Sequence, residues 1–568
     1  MNQWSPSDWL YHAEGGKHAI FRYRRPSAAE NSVTGDVVLR IPKHDLAFAY
    51  AVFGNASADD GAIATYHGMP NNASEQETKS FLFQRDVVQP LLGQCYLDLP
   101  RSVVLPPMFC VQLYQQAIAS GNIPPSRLQS WQIKSSEKER TPNNSNSAMN
   151  EGIKATLLHD HTTLIKHPRF PDQPKAKQHD VISVEIKPKA GYITSSPLVS
   201  PKNRCKHNRT RYSLQQELMQ GGHVQKGWRK KANQNDGNDS SVTTQDPKPF
   251  TPSNYSPLDL FSGNASQIQT SLKALSNNMQ NNFRVFCNGI QIFGEDISPL
   301  EDESKGILDT LVQQRTANAC NNHHDENMMN ANTTLLDFIT SVVSKILHRE
   351  KLLKNLLSMQ LLDVIDGDGA IRVYDRLVHL CDGSNAKAEE LLDKAMLYDD
   401  KTLTEKPNRL CGSNLAISPY ELPDCSILHK LIKEMDNNKG VQSQQPENDR
   451  NSSHELCVQL VEQLSQEGCI YLLQNWLLSL AMCDVSFFVT FQCLPDDDKE
   501  QCIMEECQSI DNGGILIYNG DEKEEEALFG TRTMMIHYEV KVVDCDAKPA
   551  KKLRSRRQVE DKFQFIRT

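Results

Sequence analysis

A hydrophobic stretch near the C-terminus, Tyr538-Glu-Val-Lys-Val-Val, runs into two carboxylates two residues apart, Asp544 and Asp546, with a cation, Lys548, just beyond. On an extended backbone alternate side chains share a face, so the two acids point the same way and can share one divalent ion. Hard oxygen donors at a strand end suit magnesium bridging phosphate groups. Solvated acids in a strand-end turn are the ordinary alternative. A third acid, Asp484, interrupts the apolar stretch from Trp476 to Phe491. A carboxylate set among apolar residues is costly unless it has a partner or a chemical role. The complementary charge lies upstream, in Glu185-Ile-Lys187-Pro188-Lys189, where alternation would place all three charged side chains on one face. From Lys187 to Arg211 there are seven Lys/Arg residues and no Asp or Glu, in a chain of net charge -10. That local reversal of sign fits a highly anionic ligand, although charge alone favours a solvated basic face or a weak nucleic-acid patch.

The elements that must position these groups can be read from the same sequence. Val181-Ile-Ser-Val is β-favouring and leads into Glu185, so it reads as a buried strand. Pro188, with no N–H to donate, should end its pairing. Asp484 falls in a turn between a helix or strand end and a buried strand. Trp9 to Tyr23 reads as strand, Gly15-Gly16 turn, strand; paired glycines let backbone N–H groups approach phosphate oxygens, and they also make ordinary hairpin turns. Asp36 to Lys43 is a β-branched strand carrying Arg40 near its end, which without other information is an exposed strand arginine. Asp160 in His159-Asp160-His161 can accept from a ribose or an adenine amine, or cap a turn.

Arg209 and Arg211 stand at the start of a predicted helix, where the helix end already favours anions. Pro257-Leu-Asp-Leu-Phe reads as an architectural helix start. Gln280-Asn281-Asn282 puts amides ahead of a strand, able to donate to phosphate without adding charge or simply to form a turn. Leu335 to Leu362 has helical periodicity and no site chemistry, so packing is its expected role. Asp366-Gly-Asp-Gly lacks the bidentate Glu of a calcium loop and reads as a helix-to-helix turn.

At 568 residues the chain should divide into two or more lobes. Its hydrophobic content is 38%, and the deficit lies in polar inserts near 226–252 and 440–453, with an Asn/Ser-rich stretch near 135–151. The N-terminus shows no charged-then-apolar leader pattern, and the most apolar run is too short and mixed to span a bilayer. Fifteen cysteines without a CxxC pair fit reduced thiols better than a disulfide framework. A soluble cytoplasmic or nuclear protein, a monomer with no membrane or nucleic-acid partner, is expected.

Glu185-Ile-Lys-Pro-Lys with its following Gly191-Tyr192, then Thr210-Arg-Tyr-Ser-Leu-Gln-Gln, Tyr255-Ser-Pro-Leu-Asp-Leu-Phe-Ser-Gly and Asn281-Asn-Phe-Arg-Val-Phe, occur in that order. In these motifs the chain resembles the inositol-pentakisphosphate 2-kinase family, whose members carry EIKPK-C-G-F, TRF-x-M-H-Q, YDPLDLFSG and NNFRVF. The resemblance implies an α+β, two-lobed kinase-like fold. A smaller β-rich N-lobe over residues 1–165 would face the nucleotide. A larger mixed C-lobe over 166–568 would bind the inositol phosphate and carry the catalytic groups. The activity implied is ATP-dependent phosphorylation of inositol 1,3,4,5,6-pentakisphosphate at its 2-hydroxyl, giving the hexakisphosphate, phytate.

By that resemblance Arg40, Gly15, Gly16 and Asp160 would hold ATP, and Asp544 and Asp546 would hold magnesium. Asp484 would take the proton of the attacking hydroxyl, and Lys187, Lys189, Lys206, Asn281, Lys548 and Lys552 would bind the phosphosugar. The chain departs from the family at Ala13 for a loop glycine, at Cys483 for a lysine, and at Arg556 near the place of a tyrosine. These departures favour a non-catalytic inositol-phosphate or RNA-binding scaffold derived from a kinase, and a kinase for other inositol polyphosphates is a further alternative. The retained Asp-x-Asp-x-Lys-Pro argues for an enzyme. Some family members bind a structural zinc; the candidates here are Cys381, Cys411, Cys425 and His429, whose loose spacing favours packed cysteines instead.

Overall fold

A computed structural model describes residues 5–14, 18–23, 37–43, 45–46, 49, 79–119, 152–163, 180–222, 250–294, 331–396, 447–493, 514–518 and 534–566. Gly15, Gly16, Cys411, Cys425 and His429 lie outside these residues, as do most of the two expected inserts, 226–249 and 440–446.

The fold is mixed α and β, built on two antiparallel sheets. The first contains β1 (Trp9–Glu14), β2 (His18–Tyr23), β3 (Val37–Pro42), β4 (Arg101–Leu105) and β5 (Ile153–His159), in the order β1-β2-β3-β5-β4. Its apolar face, with Phe21, Leu39, Ile41 and Leu157, closes on Phe109, Leu113 and Tyr114 of the helix Pro107–Ala119.

The second sheet contains β6 (Val181–Ile186), β7 (Phe283–Cys287), β8 (Ile290–Phe293), β9 (Ser486–Cys493), β10 (Gly514–Tyr518) and β11 (Met534–Val543). They run in the order β10-β11-β9-β6-β7-β8. β6 sits inside this sheet, which is why its sequence is almost continuously apolar. Ile182, Val184 and Ile186 turn to a large core shared with the helices Ala265–Asn277, Ala331–Arg349, Leu352–Gln360, Asp366–Leu380 and Gln466–Met482. Side-chain caps start several of these elements. Asn264 accepts from the N–H groups of Ser266 and Gln267, and Ser465 accepts from that of Gly468.

On the other face of β6, Ser183 donates to the carbonyl of His161 at 3.0 Å and lies 2.6 Å from Thr490. This ties the end of the first sheet's β5 to the middle of the second. Residues 79–97, numbered among the first sheet's strands, pack Phe83, Val88 and Leu92 into the second core. The polar stretch after 440 ends in the first turns of a helix, Glu447–Glu462. Among the described residues no helix is long and apolar enough to cross a membrane.

Candidate active site

Strand register alone gathers the chemistry at one edge of the second sheet. Ile186 pairs with Phe283 on one side and Phe487 on the other, and Val543 pairs with Ser486. The residues just past these pairs are Lys187, Asn282, Val485 and Asp544, so four chain ends meet there. The Lys187 N–H donates to the Asn282 carbonyl at 3.0 Å, and pairing then stops at Pro188 as its missing N–H requires. Lys189 has φ +62°, so it leaves the strand and does not share the face of Glu185 and Lys187 that alternation predicted.

Asp544 also takes a left-handed φ of 62°, which ends β11 and turns the chain toward the first sheet. Arg40 reaches across from β3. Its Nη1 lies 3.6 Å from Oδ1 of Asp544 and its Nη2 3.7 Å from Oδ2 of Asp546. Ser80 donates to the other oxygen of Asp546 at 2.6 Å. Although the Asp544 side chain is 48% exposed, desolvation by the surrounding protein raises its carboxyl above the ordinary value, and Glu185 and Asp546 add to this while Arg40 and Lys187 oppose it. Two carboxylates turned toward one guanidinium form an all-oxygen donor set that fits magnesium, which keeps open positions for phosphate oxygens.

Asp484 follows the helix Gln466–Met482 and precedes β9, and its side chain is 57% exposed. The apolar sequence around it had suggested a desolvated acid. The helix and strand bury their own residues and leave the turn between them open. Its Oδ2 lies 2.9 Å from Nζ of Lys548. The neighbouring Cys483 thiol, in the place where a lysine was expected by resemblance, is pushed up to about 12 by burial.

Glu185 holds two cations from below this edge. Oε2 lies 3.1 Å from Nη1 of Arg284, its direct cross-strand partner on β7, and Oε1 lies 3.9 Å from Lys187 Nζ. Nη2 of Arg284 donates to the side-chain amide oxygen Oδ1 of Asn281, which leaves the Asn281 NH₂ as its donor end. Lys552 is exposed at the start of the helix Lys552–Glu560.

Two expected ligands are placed otherwise. Asp160 is buried and accepts from Arg22 and from the Thr162 N–H and hydroxyl, the turn-cap arrangement. Lys206, counted among the phosphosugar ligands, is turned inward by the 3₁₀ helix Pro201–His207. Its Nζ lies 2.6 Å from Asp366, 3.3 Å from Asp368 and against Glu560. Asp366 and Asp368 accept its hydrogen bonds and Glu560 adds a third negative charge, so this charge is compensated inside the protein. Asp366, Asp368 and Glu560 are close enough to share a metal ion, but the Lys206 ammonium already lies among them. Arg556 is likewise buried, paired with Glu560 and stacked 5.9 Å from the Trp476 ring centre.

A cavity at this cluster is lined by Lys206 itself with Tyr192, Arg209, Arg211, Asp363 and Arg556. The Tyr192 hydroxyl donates to Asp363 at 2.9 Å, and burial and then Asp366 raise the Asp363 carboxyl. Cys381 is a buried thiol at the end of the helix Asp366–Leu380.

Comparison with known proteins fits this arrangement. The family model described as inositol-pentakisphosphate 2-kinase matches residues 11–562. The chain belongs to the inositol-pentakisphosphate 2-kinase family. Among its relatives, an inositol-pentakisphosphate 2-kinase of Arabidopsis thaliana is 24% identical over 442 residues, covering 74% of this chain and 80% of that protein. An inositol-pentakisphosphate 2-kinase of Oryza sativa subsp. japonica is 29% identical over 240 residues, 41% of this chain and 42% of its own length. One of Danio rerio is 24% identical over 300 residues, 52% of this chain and 46% of its own length. The chain thus matches less than half the length of the rice and zebrafish kinases. The family match spans the whole gathered edge, from the β3 strand of Arg40 through Glu185, Asn281 and Asp484 to Lys552.

Proposed function

We infer that this protein transfers the terminal phosphoryl group of ATP to the 2-hydroxyl of inositol 1,3,4,5,6-pentakisphosphate, giving the hexakisphosphate. The observation that carries the reading is the meeting, at one sheet edge, of an aspartate pair faced by Arg40 and a separate aspartate paired with Lys548. Phosphoryl transfer asks a protein to bring two anions into line and to neutralise the transferring charge, and it needs these two kinds of acid in different places.

Magnesium held by Asp544 and Asp546 would supply charge neutralisation on the ATP phosphates. Arg40 binds the same phosphates from the first sheet, so that the two sheets act as the two lobes around the nucleotide. Lys187, Lys189, Lys548 and Lys552, with the donor end of Asn281, hold the phosphates of the ring. Glu185 keeps Lys187 directed toward the edge. Asp484, exposed in its turn, orients the 2-hydroxyl and accepts its proton, and Lys548 can hold the acceptor phosphosugar against it. Inositol pentakisphosphate as the acceptor follows from the family; the geometry supports a densely phosphorylated ring without choosing among them.

Incubation of the purified chain with magnesium, ATP and inositol pentakisphosphate, with anion-exchange separation, tests this. One hexakisphosphate per ADP is the expected result. Folded protein that binds the pentakisphosphate without magnesium or turnover would identify a scaffold, the reading favoured by Cys483 in the lysine position.

A further inference from the structure

Gln360 closes the helix Leu352–Gln360 and is fully buried. Every polar end of its carboxamide reaches the backbone of a loop that carries a site residue. Oε1 accepts from the Gly191 N–H at 2.8 Å, and Nε2 donates to the Lys189 carbonyl at 2.9 Å and to the Met482 carbonyl at 3.1 Å. Lys189 and Gly191 belong to the cationic loop after β6, and Met482 ends the helix whose next turn presents Asp484. We propose that Gln360 is a positioning residue that fixes the separation between the phosphosugar-binding loop at Lys189 and the proton acceptor Asp484. The inference rests on the function proposed above for those two residues.

The chemistry requires this side chain. The loop offers one N–H and one carbonyl, and the helix end offers a carbonyl that has no partner within its own helix. One acceptor and two donors on a short planar group are what a carboxamide supplies; a carboxylate lacks the donors and a lysine lacks the acceptor. Both loops need such a tether, because neither can be held by a sheet ladder. Pro188 ends the pairing of β6, and Lys189 is left-handed at φ +62°. The cationic loop is also held at Pro188, Gly191 and Tyr192, the last through its hydroxyl to Asp363. Tyr255 donates to the Pro188 carbonyl at 2.6 Å, and Phe261 packs so close to Gly191 that an added Cβ would lie 2.1 Å from its ring. Gln360 is itself anchored, since the Ser479 hydroxyl donates to its backbone carbonyl at 2.5 Å. The tether therefore spans from Ser479 and Met482 to Lys189 and Gly191 without a mobile link.

The test compares the full-length protein with Gln360→Glu and Gln360→Met, measuring steady-state kinetics and binding of each substrate by calorimetry. Removal of the donors should raise KM for inositol pentakisphosphate and lower kcat, each by roughly tenfold, since sub-ångström misplacement of reacting groups costs about that much or more. Magnesium–ATP affinity should stay within about twofold, because Arg40 lies on β3 and Asp544 and Asp546 follow β11, away from the Gln360 contacts. A purely structural role would instead lower the melting temperature and weaken both ligands together, or leave both kinetic constants unchanged; either result overturns the inference. If neither Gln360 variant folds, Ser479→Ala, which removes the anchor on the Gln360 carbonyl, decides. It should change the same two constants in the same direction, and unchanged constants would sink the proposal. Wild-type protein that binds the pentakisphosphate without turnover, with binding weakened in the Gln360 variants, would remove the kinase reading while keeping the tether. Turnover with variants equal to wild type would do the reverse.

Discussion

Nζ of Lys548 lies 2.9 Å from Oδ2 of Asp484, joining the turn before β9 to the loop after β11. The strand register Val543 to Ser486 brings these segments side by side, and the ion pair lies beyond its last pair. In Lys548→Met Asp484 loses its partner, and on the proposed function a substrate-binding charge is lost. KM for inositol pentakisphosphate should rise by roughly tenfold or more while KM for ATP barely moves. Unchanged KM values would remove Lys548 from the phosphosugar site.

Asp544 and Asp546, both faced by Arg40, hold magnesium in the proposed function, so each acid should be read out through the metal dependence. Asp544→Asn and Asp546→Asn are each expected to raise the magnesium concentration needed for half-maximal rate and to lower kcat by roughly 10²-fold. Magnesium titrations at saturating ATP measure both quantities. A variant with wild-type magnesium dependence does not carry a metal ligand at that position.

Lys206 separates a stability role from a binding role. It is buried against Asp366, Asp368 and Glu560, and removing one partner of a buried ion cluster typically costs about 3–5 kcal/mol. Lys206→Met should lower the denaturant midpoint sharply, while the protein that remains folded keeps its KM for the inositol phosphate. A raised KM at unchanged stability would return Lys206 to the ligand set.

His161 should give a pH signature. Burial lowers its pKa from 6.5 to about 4, with Lys541 and His159 pushing the same way and Asp98 and Asp160 opposing. The unfolded chain binds the proton first as pH falls, so the contribution of neutral His161 is complete above pH 6.5 and is lost on acidification toward pH 4. The loss is on the order of 3 kcal/mol by the usual conversion of a pKa shift. Thermal melts from pH 7 to pH 4 should fall less steeply for His161→Gln than for wild type. Parallel curves would show that His161 is not the titrating group.

Much of this site was legible because its residues fall at strand ends, where sequence alternation and a proline mark the boundary. Val181 to Ile186 reads as a buried strand, Pro188 ends it, and the Asp544/Asp546 pair follows an apolar strand, as found. What escaped was set by contacts distant in sequence. Alternation predicted that Lys189 would share a face with Lys187, but the left-handed turn after Pro188 breaks the period. Lys206 lies in a basic run that looks like a ligand surface. Only the fold shows that its charge is spent on two acids at the start of one helix and one at the end of another. The apolar neighbours of Asp484 signalled burial, yet belong to elements that leave the turn exposed. Gln360 carried no signal at all, being the last residue of a helix whose periodicity spoke only of packing. Arg284 was readable only as part of a strand motif, and its pairing with Glu185 depends on the β6–β7 register.

The most direct test of the central claim is single-turnover phosphoryl transfer by wild type and Asp484→Asn, with magnesium–ATP and inositol pentakisphosphate bound to each. Wild type should form hexakisphosphate, and the variant should bind both substrates with near-normal affinity yet transfer about 10²–10⁴-fold more slowly. An Asp484→Asn protein that transfers at the wild-type rate would contradict the assignment of the proton acceptor and with it the account of this sheet edge.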